Sequence, residues 1–397
     1  MTRTDCCVAG GGPAGLLLAL LVAQRGWEVT VLDRRPRLDA NGPPIAPYLH
    51  PPTLEILDRL GLLPDIEQDA VRVVGATEYA ADGTASEWRY TDVADCAFRY
   101  GLSVRLDDLS GAILRRIERM PNVRVLTGVE VTGLPEESPG IHGVAVRADG
   151  AEYVVSTRLI VASDGKFSAV RTMAGIPAEV FEFDRRILRT VVPRPQGWSD
   201  SWLVRRRPPS LLLALPVAGD RLAVLWIPPT EDHDRLRSGE VSQLVEELAA
   251  VEPALDAALR DSVRAWSSVH EVVHHIVTPV EWYRDNVVLH GDSAHGVHFY
   301  GGQGLNLALQ DSLLLSDAVH RSLSSGDMGA VEQYVAQRRP FVERFQNIQK
   351  RMPGLTSAVN VVDHDFWGAE VLRTMALGQP GLRPACERAW EAHQRSA

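Results

Sequence analysis

The feature that most constrains the fold is a glycine-rich turn between a short apolar strand and an apolar helix. Gly10, Gly12 and Gly15 are spaced as G-x-G-x-x-G, and an apolar helix is predicted from residue 16 to Gly26. In this pattern the first glycine makes the tight turn, the second lets the backbone approach a pyrophosphate, and the third lets helix and strand pack closely. The free N–H groups at the start of such a helix attract phosphates.

A second strand completes a βαβ unit. Residues 27–33 alternate, are rich in β-branched side chains, and end at Asp33, where a carboxylate can accept hydrogen bonds from an adenosine ribose. A glycine-rich loop in a plain α/β protein is the alternative, because the glycine motif alone is weak evidence. The whole unit favours a bound dinucleotide, because the strand, the helix, the second strand and the acid are all suitably spaced. It does not indicate whether that dinucleotide is FAD or NAD.

Composition excludes several other classes of protein. Of the 397 residues 45% are hydrophobic, and 41 basic against 51 acidic residues give a net charge of -10. That balance disfavours a nucleic-acid partner, which needs a basic face. The apolar run over 16–23 is shorter than the roughly 20 residues of a membrane span. We therefore expect no membrane segment and a cytoplasmic location.

Hydrophobic periodicity along the rest of the chain predicts alternating helices and strands. Helices are predicted over 52–66, 107–120, 240–260 with a break at Pro253, and 305–326, and strands over 143–165, 186–228 and 286–292. Two hairpin turns are predicted, at Asp149-Gly150 and at Gly219-Asp220. The tail from residue 330 is predicted to be mostly helical.

The segment HGDSAHGVHFYGGQGLN, from His290 to Asn306, leaves three alternatives open: a catalytic centre, a metal site or a loop around a cofactor. His295 and His298 have no convincing carboxylate or cysteine partner in the pattern, so we expect no metal. No G-x-S-x-G elbow supports a nucleophilic serine. His274 and His275 are interpreted as a surface or strand-end pair.

Two further segments point to a family. DGKFSAVR (164–171) follows one apolar strand, and GDSAHGVHFYGGQGLN (291–306) follows another. With the glycine motif and VLDRRP (31–36), and in this order, they resemble the single-component flavoprotein monooxygenases of the para-hydroxybenzoate hydroxylase type. The resemblance covers the chain from residue 5 to about 345.

The resemblance implies an α/β fold with a Rossmann-like FAD-binding domain, an inserted mixed β-sheet substrate domain and a helical C-terminus. The FAD-binding domain would be discontinuous, formed by 1–70, 101–175 and 279–345. The substrate domain would use 71–100 and 176–278. A helical tail would occupy 346–397.

The resemblance also implies which residues hold FAD. Around the pyrophosphate it places Gly10, Gly12, Pro13, Ala14, Gly15 and Arg105. Around the adenosine it places Asp33, Arg34 and Val131. Asp164 would serve both FAD and a passing nicotinamide nucleotide. At the ribityl chain and the isoalloxazine it places Asp292, Gly304, Leu305 and Asn306.

The activity implied is that of an NAD(P)H-dependent FAD monooxygenase that hydroxylates an aromatic or polycyclic small molecule, with a secondary metabolite as one option, and the protein would be a monomer or homodimer. In the implied cycle NAD(P)H reduces FAD, O2 adds at flavin C4a, and the hydroperoxide passes its terminal oxygen to an electron-rich carbon. The alternatives are N-hydroxylation, epoxidation or Baeyer–Villiger oxidation by the same chemistry, and a non-redox cyclase with structural FAD.

No catalytic acid or base can be assigned. The pocket candidates are His298, Phe299, Tyr300 and Trp226, with core packing as the favoured alternative for the tryptophan. Two positions depart from the family pattern. Phe299 stands where the loop normally has a proline, and Ile45 stands where many members have an arginine close to the flavin.

Overall fold

A six-stranded sheet carries the glycine-rich turn. The computed structural model describes residues 2–38, 47–93, 97–138, 141–351 and 382–396. The sheet order is Tyr283–Arg284 (β22), Val287–Leu289 (β23), Leu159–Ala162 (β14), Cys6–Ala9 (β2), Val29–Asp33 (β3) and Val123–Thr127 (β9), and all but β22 are parallel. The four central strands are buried along their length, as expected for a parallel sheet covered on both faces.

Thirteen helices lie in the described ranges, together with two 3-10 turns at Pro253–Leu255 and Trp266–Ser268. The helices are α1 (Pro13–Ala23), α2 (Pro51–Arg59), α3 (Leu63–Glu67), α4 (Tyr90–Val93), α5 (Leu106–Ile117), α6 (Ala169–Met173), α7 (Thr230–Ser238), α8 (Val241–Val251), α9 (Asp256–Ser262), α10 (Asp292–His295), α11 (Gln303–Ser325), α12 (Gly329–Lys350) and α13 (Leu382–Ser396). Helix α1 is apolar all round because it packs between β3, α5 and α11. No helix in these ranges is both long enough and apolar enough to cross a bilayer.

A seven-stranded sheet forms the second large layer. Its order is His270–Val272 (β20), Ile187–Pro193 (β16), Arg221–Ile227 (β19), Ser210–Val217 (β18), Trp202–Arg207 (β17), Gly75–Tyr79 (β6) and Ala85–Arg89 (β7). Because side chains alternate across a strand, this sheet has two apolar faces. One face packs with α8 and α9 through residues such as Leu188, Leu212 and Val224, and the other, with Leu213 and Leu225, turns towards the six-stranded sheet.

Three smaller sheets complete the layers. One contains Thr2–Arg3 (β1), Ala151–Thr157 (β13), Ile141–Ala148 (β12), Glu130–Gly133 (β10) and Glu136–Ser138 (β11). Another contains Tyr48–Leu49 (β4), Gly101–Ser103 (β8) and Val71–Val73 (β5). The last pairs Ala178–Glu182 (β15) with His275–Pro279 (β21).

Most predicted elements are present, with shifted ends. The turn at Asp149-Gly150 and the turn at Gly219-Asp220 both have two successive positive φ angles, which suits a tight hairpin. The predicted helix over 52–66 is instead two helices, α2 and α3, because Gly61 between them has a φ of 65°. The helix over 240–260 breaks at Pro253 as expected.

The domain division stays a prediction, and its boundary at residue 345 falls inside the continuous helix α12. Ile45, the second departure from the family pattern, lies outside the described residues.

Candidate functional site

The three sequence motifs meet at the carboxyl edge of the parallel strands β2, β14 and β23. A Cβ on Gly10 would lie 2.1 Å from the carbonyl oxygen of Ser163, so these two loops are in direct backbone contact. The Ser293 hydroxyl donates to Asp164 Oδ1 at 3.2 Å and accepts from the Gly165 N–H at 3.1 Å. This edge of a parallel sheet, where the strand order reverses, is where α/β proteins bind nucleotides.

Two glycines of the first motif, Gly10 and Gly15, are in close contact with backbone atoms, whereas Gly12 borders open space. Gly10 has a φ of 113°, and a Cβ on Gly15 would lie 2.1 Å from the Gly10 carbonyl oxygen. A Cβ on Gly12 would meet no described atom within 4 Å. Helix α1 begins at Pro13 beside that space, with Ala14 in its first turn and no side-chain cap. An open concavity at an uncapped helix start fits the pyrophosphate of FAD.

Asp33 is held by four donors. Oδ1 accepts from the backbone N–H and Nε of Arg35 at 2.8 and 2.9 Å, and Oδ2 accepts from the Gly11 N–H at 2.7 Å and Arg35 Nη2 at 2.9 Å. Although burial alone would raise the pKa of Asp33, these bonds outweigh it and lower that pKa. A carboxylate has about four acceptor sites. A ribose can therefore bind Asp33 only where the Arg35 side chain gives way, and that side chain is 33% exposed.

Three other predicted FAD residues lie on separate elements. Arg34 is exposed. Arg105 precedes α5 with its side chain 63% exposed, and its guanidinium lies 3.7 Å from Asp108. Val131 is half-buried in β10 opposite Val146. Their roles at the cofactor stay predictions.

The Asp164 carboxylate is engaged by the chain itself. It accepts hydrogen bonds from the Ser168 hydroxyl and from the Val170 N–H, as well as from Ser293. It thereby joins the start of α6 to helix α10.

The side chain of Asn306, which is predicted to lie at the isoalloxazine, is engaged by the chain itself. Its side chain is fully buried, accepts from the His50 N–H at 2.8 Å, and donates to the carbonyl oxygens of Tyr48 and Gly302, both at 2.6 Å. Its amide is thus consumed in tying α11 to β4. Gly304 and Leu305, by contrast, line a cavity between this helix and the seven-stranded sheet.

The N-terminus of α11 is open towards that cavity. Gly302 precedes the helix with a φ of 64°, and no side chain caps this end. The partial positive charge of a helix N-terminus favours a negatively charged group placed there. The Gln303 side-chain amide is buried, and neither of its polar atoms has a hydrogen-bond partner in the part of the chain described. Gln303 is not among the residues that line the cavity, so the open helix end rather than this amide fits the negatively charged part of a flavin.

Two glutamines of α12 bind the backbone that follows α10, and one of them, Gln349, holds the loop that carries Phe299. Gln349 Oε1 accepts from the His298 N–H at 2.9 Å, and its Nε2 donates to the carbonyl oxygens of His298 and Tyr300 at 3.0 and 2.9 Å. Gln346, one turn earlier, donates to the Gly296 carbonyl oxygen at 3.0 Å. A loop without the family's proline is therefore fixed by side chains from outside it. We refer to Gln349 and its three hydrogen bonds to His298 and Tyr300 as the glutamine clamp.

A cavity of about 540 Å³ separates this loop from the seven-stranded sheet. The loop side contributes Asp292, His298, Phe299, Tyr300, Gly304 and Leu305. The sheet side contributes mostly apolar residues, including Ile187, Val204, Leu213, Leu215, Ala223 and Leu225. Three of the four predicted pocket residues therefore line one cavity.

Trp226 does not line it, and its prediction as a pocket residue is wrong. Its side chain is 4% exposed and packs on the opposite face of the sheet, with Leu244 and Leu248 of α8. Trp202, on β17, does line the cavity and packs against Tyr48 at 4.4 Å between ring centroids.

Burial lowers the pKa of two histidines of the cavity wall, His50 and His298. Burial lowers the pKa of His50 to about 4, and its Nε2 must donate to the Gly301 carbonyl oxygen while Nδ1 accepts from Tyr90. Burial, with lesser effects of His274 and Lys166, lowers the pKa of His298. A site of neutral histidines favours positioning and exclusion of water over acid–base catalysis at neutral pH.

Some cavity residues were missed because their signals are not local. Lys166, one of only two lysines in the chain, donates from Nζ to the Val297 carbonyl oxygen at 2.9 Å and lines the cavity. His274, expected at a surface or strand end, stacks on Phe299 with 4.9 Å between ring centroids. In the sequence, His274 is marked only by its position next to β21, and that position does not reveal which residues its side chain contacts.

The histidines of the third motif have other partners. His295 Nε2 lies 2.6 Å from Asp311 Oδ2, and Arg338 pairs with the same carboxylate, all three being buried. His298 stacks on Phe183 with 4.4 Å between ring centroids. Within the described ranges no cluster of three or more candidate metal ligands is found.

Comparison with known proteins gives consistent matches. Residues 3–348 match the model of the FAD binding domain family. The chain is 35% identical to protoasukamycin 4-monooxygenase of Streptomyces nodosus subsp. asukaensis, over 92% of both chains. It is 30% identical to 6-methylpretetramide 4-monooxygenase of Streptomyces rimosus, over 96% of this chain and 94% of that one. A probable FAD-dependent monooxygenase of Pseudomonas aeruginosa, PqsL, shares the fold with a TM-score of 0.79 and 20% identity, over 94% and 99% of the chains.

Proposed function

The chain belongs to the FAD binding domain family and is an FAD-dependent monooxygenase, and on that premise we propose that it hydroxylates an aromatic or polycyclic small molecule with NAD(P)H and O2. Both relatives named above are 4-monooxygenases from Streptomyces, and their names denote elaborate organic substrates. A polycyclic secondary metabolite is the substrate class that this likeness supports.

In this proposal the chain holds FAD at the sites where its own groups are left open. The space beside Gly12 and the start of α1 takes the pyrophosphate, which the lack of a side-chain cap supports. Asp33 takes the adenosine ribose once Arg35 moves aside. The start of α11, with Gly304 and Leu305 on the cavity wall, takes the ring, supported by the open helix end.

When bound, FAD supplies the two-electron oxidation of NAD(P)H and the activation of O2. The chain positions the substrate and excludes water from the site. The apolar sheet wall, with Leu213 and Leu225, excludes water from the reacting carbon, and Phe299 covers the loop side. Burial raises the pKa of Tyr300 to about 12, so its hydroxyl stays protonated and can donate a hydrogen bond to a substrate oxygen.

The observation that carries the proposal is the cavity itself. One wall consists of the residues expected at the flavin, such as Asp292, Gly304 and Leu305, and the facing wall is apolar sheet. Its volume of about 540 Å³ lies within the roughly 300–1,000 Å³ usual for small-molecule sites. An apolar ligand in it would lie directly against the flavin-side loop.

The test is to purify the protein, saturate it with FAD, and follow NAD(P)H oxidation with and without a panel of phenolic and polyketide-like compounds. We expect a yellow protein, ligand-stimulated oxidation, and a product that has gained one oxygen atom on an aromatic carbon. A colourless protein that cannot be loaded with FAD would contradict the proposal. A yellow protein that NAD(P)H never reduces would favour the non-redox cyclase. A product with the new oxygen on a nitrogen, in an epoxide or inserted into a ring would favour N-hydroxylation, epoxidation or Baeyer–Villiger oxidation.

A further inference from the structure

Arg189 stands out among the residues that line the cavity. It lies on β16, where Ile187 and Arg189 face the cavity and Leu188 between them packs against the helices on the other face. No other arginine of the described ranges belongs to the cavity wall. The chain thus places a guanidinium, which is always charged, on a mostly apolar surface.

The Arg189 guanidinium has no hydrogen bond or ion pair with any residue that the structure describes. Other buried cations near the cavity do have partners: Lys166 donates to the Val297 carbonyl oxygen, and Arg206 pairs with Glu78. Burial lowers the pKa of Arg189, and no neighbouring carboxylate offsets that effect. A half-buried cation without a counter-charge is costly unless a ligand supplies one.

The neighbours of Arg189 do not supply that charge. Its cross-strand partners are Leu225 on β19 and His270 on β20, and His270 is exposed. Glu271 is the nearest acid in sequence on β20, but its carboxylate is shared by Arg186 and His233. The side of Arg189 that faces the cavity is therefore open to a ligand.

We propose that Arg189 binds an acidic oxygen group of the substrate, either a carboxylate or an ionised enol or phenol. The planar guanidinium can donate two parallel hydrogen bonds to such a group, which fixes orientation as well as position. This rests on the proposed function, since it names the substrate class of the same cavity.

The width of the sheet adds the shape of that substrate. Arg189 on β16 and Glu78 on β6 both line the cavity. Three strands, β19, β18 and β17, lie between β16 and β6 in the sheet. Four strand spacings correspond to roughly 19 Å along the sheet. The substrate that fits is an extended, mostly apolar ring system with its acidic oxygen at the β16 end.

The test compares two probes of nearly the same shape, hydroxynaphthoic acid and its carboxamide, which differ in charge. Binding to the FAD-loaded enzyme is measured by quenching of tryptophan fluorescence, because Trp88 and Trp202 line the cavity. We expect the acid to bind about tenfold more tightly than the amide, the usual size of a charged hydrogen bond. Arg189→Met should abolish the preference, and Arg189→Lys should retain part of it.

Arg221→Met is the matched control, because Arg221 is an exposed arginine of the same sheet that does not line the cavity. It should keep the wild-type preference. Equal or undetectable binding of the two probes by the wild type, or an unchanged preference in Arg189→Met, overturns the proposal. So does a loss of NADPH affinity in Arg189→Met with probe binding intact, which would assign the guanidinium to the nucleotide. The preference is measured without turnover, so an enzyme that NAD(P)H fails to reduce contradicts the proposed function alone.

Discussion

Removing the polar end of Gln349 tests whether the glutamine clamp replaces the missing proline. Gln349→Met keeps the length of the side chain and removes its three hydrogen bonds to the backbone of His298 and Tyr300. At a net value of about 1 kcal/mol each, the loop loses about 3 kcal/mol of stabilisation. Since 1.4 kcal/mol is a factor of ten, the displaced loop becomes roughly a hundredfold more populated.

The assay is coupling: the amount of oxygenated product and of hydrogen peroxide formed per NAD(P)H consumed. A displaced loop admits water to the cavity next to Phe299, so we expect more hydrogen peroxide and less product, with FAD still bound. Gln346→Met is the control. Gln346 is equally buried and also makes three hydrogen bonds, to Thr278 and to the carbonyl oxygens of Val277 and Gly296, but none to residues 298–300.

Both variants should lose similar thermal stability, and only Gln349→Met should lose coupling. The reasoning fails if coupling in Gln349→Met equals that of the wild type, or if the two variants lose coupling to the same extent. The first result would mean that the loop holds its shape without the clamp, and the second that general destabilisation is responsible.

Three further predictions concern the cofactor edge, pH and the sheet. Gly10→Ala should destabilise the apoprotein by at least about 2 kcal/mol, because Gly10 has a φ of 113° and an added Cβ would collide with Ser163. Gly12→Val should leave the melting temperature of the apoprotein unchanged and weaken FAD binding in a titration, because a side chain there meets only open space. His50 and His290 both have a pKa lowered to about 4 by burial, so only the unfolded chain takes up their protons as pH falls from about 6.5. Stability should then fall by up to about 1.4 kcal/mol per pH unit for each histidine, and a melting temperature that rises on acidification would contradict this. Trp226→Phe should leave KM for the substrate unchanged, and a shifted KM would place that ring in the cavity after all.

Local signals account for the parts of the site that the sequence predicted. The turn at Gly10, the acid Asp33 and the loop at Asp292 each follow a buried strand, and the carboxyl ends of parallel strands meet at one edge. The strand order alone is enough to predict that these three segments meet, and the resemblance implied that order. The pairing of Arg35 with Asp33 was not predicted, because both Arg34 and Arg35 follow the strand and only the backbone decides which one turns back.

Contacts between distant segments account for what was missed. Trp202 and Trp226 are both on strands of one sheet, and sequence alone does not reveal which face carries the helices. Asn306 stands in the motif as expected, yet its amide is satisfied by a strand more than 250 positions earlier. Gln349 lies in a helix whose polar pattern looks like an exposed face, so nothing marked it as a residue that holds the loop.

The two-faced sheet beside the cavity has a consequence for how such an enzyme can diverge. Along β18, Leu213 and Leu215 face the cavity while Leu212 and Ala214 belong to the core with the helices. A replacement at an odd-numbered position changes what the cavity accepts and leaves the helix-side core intact. New specificities can therefore accumulate one position at a time, with little epistasis between recognition and folding.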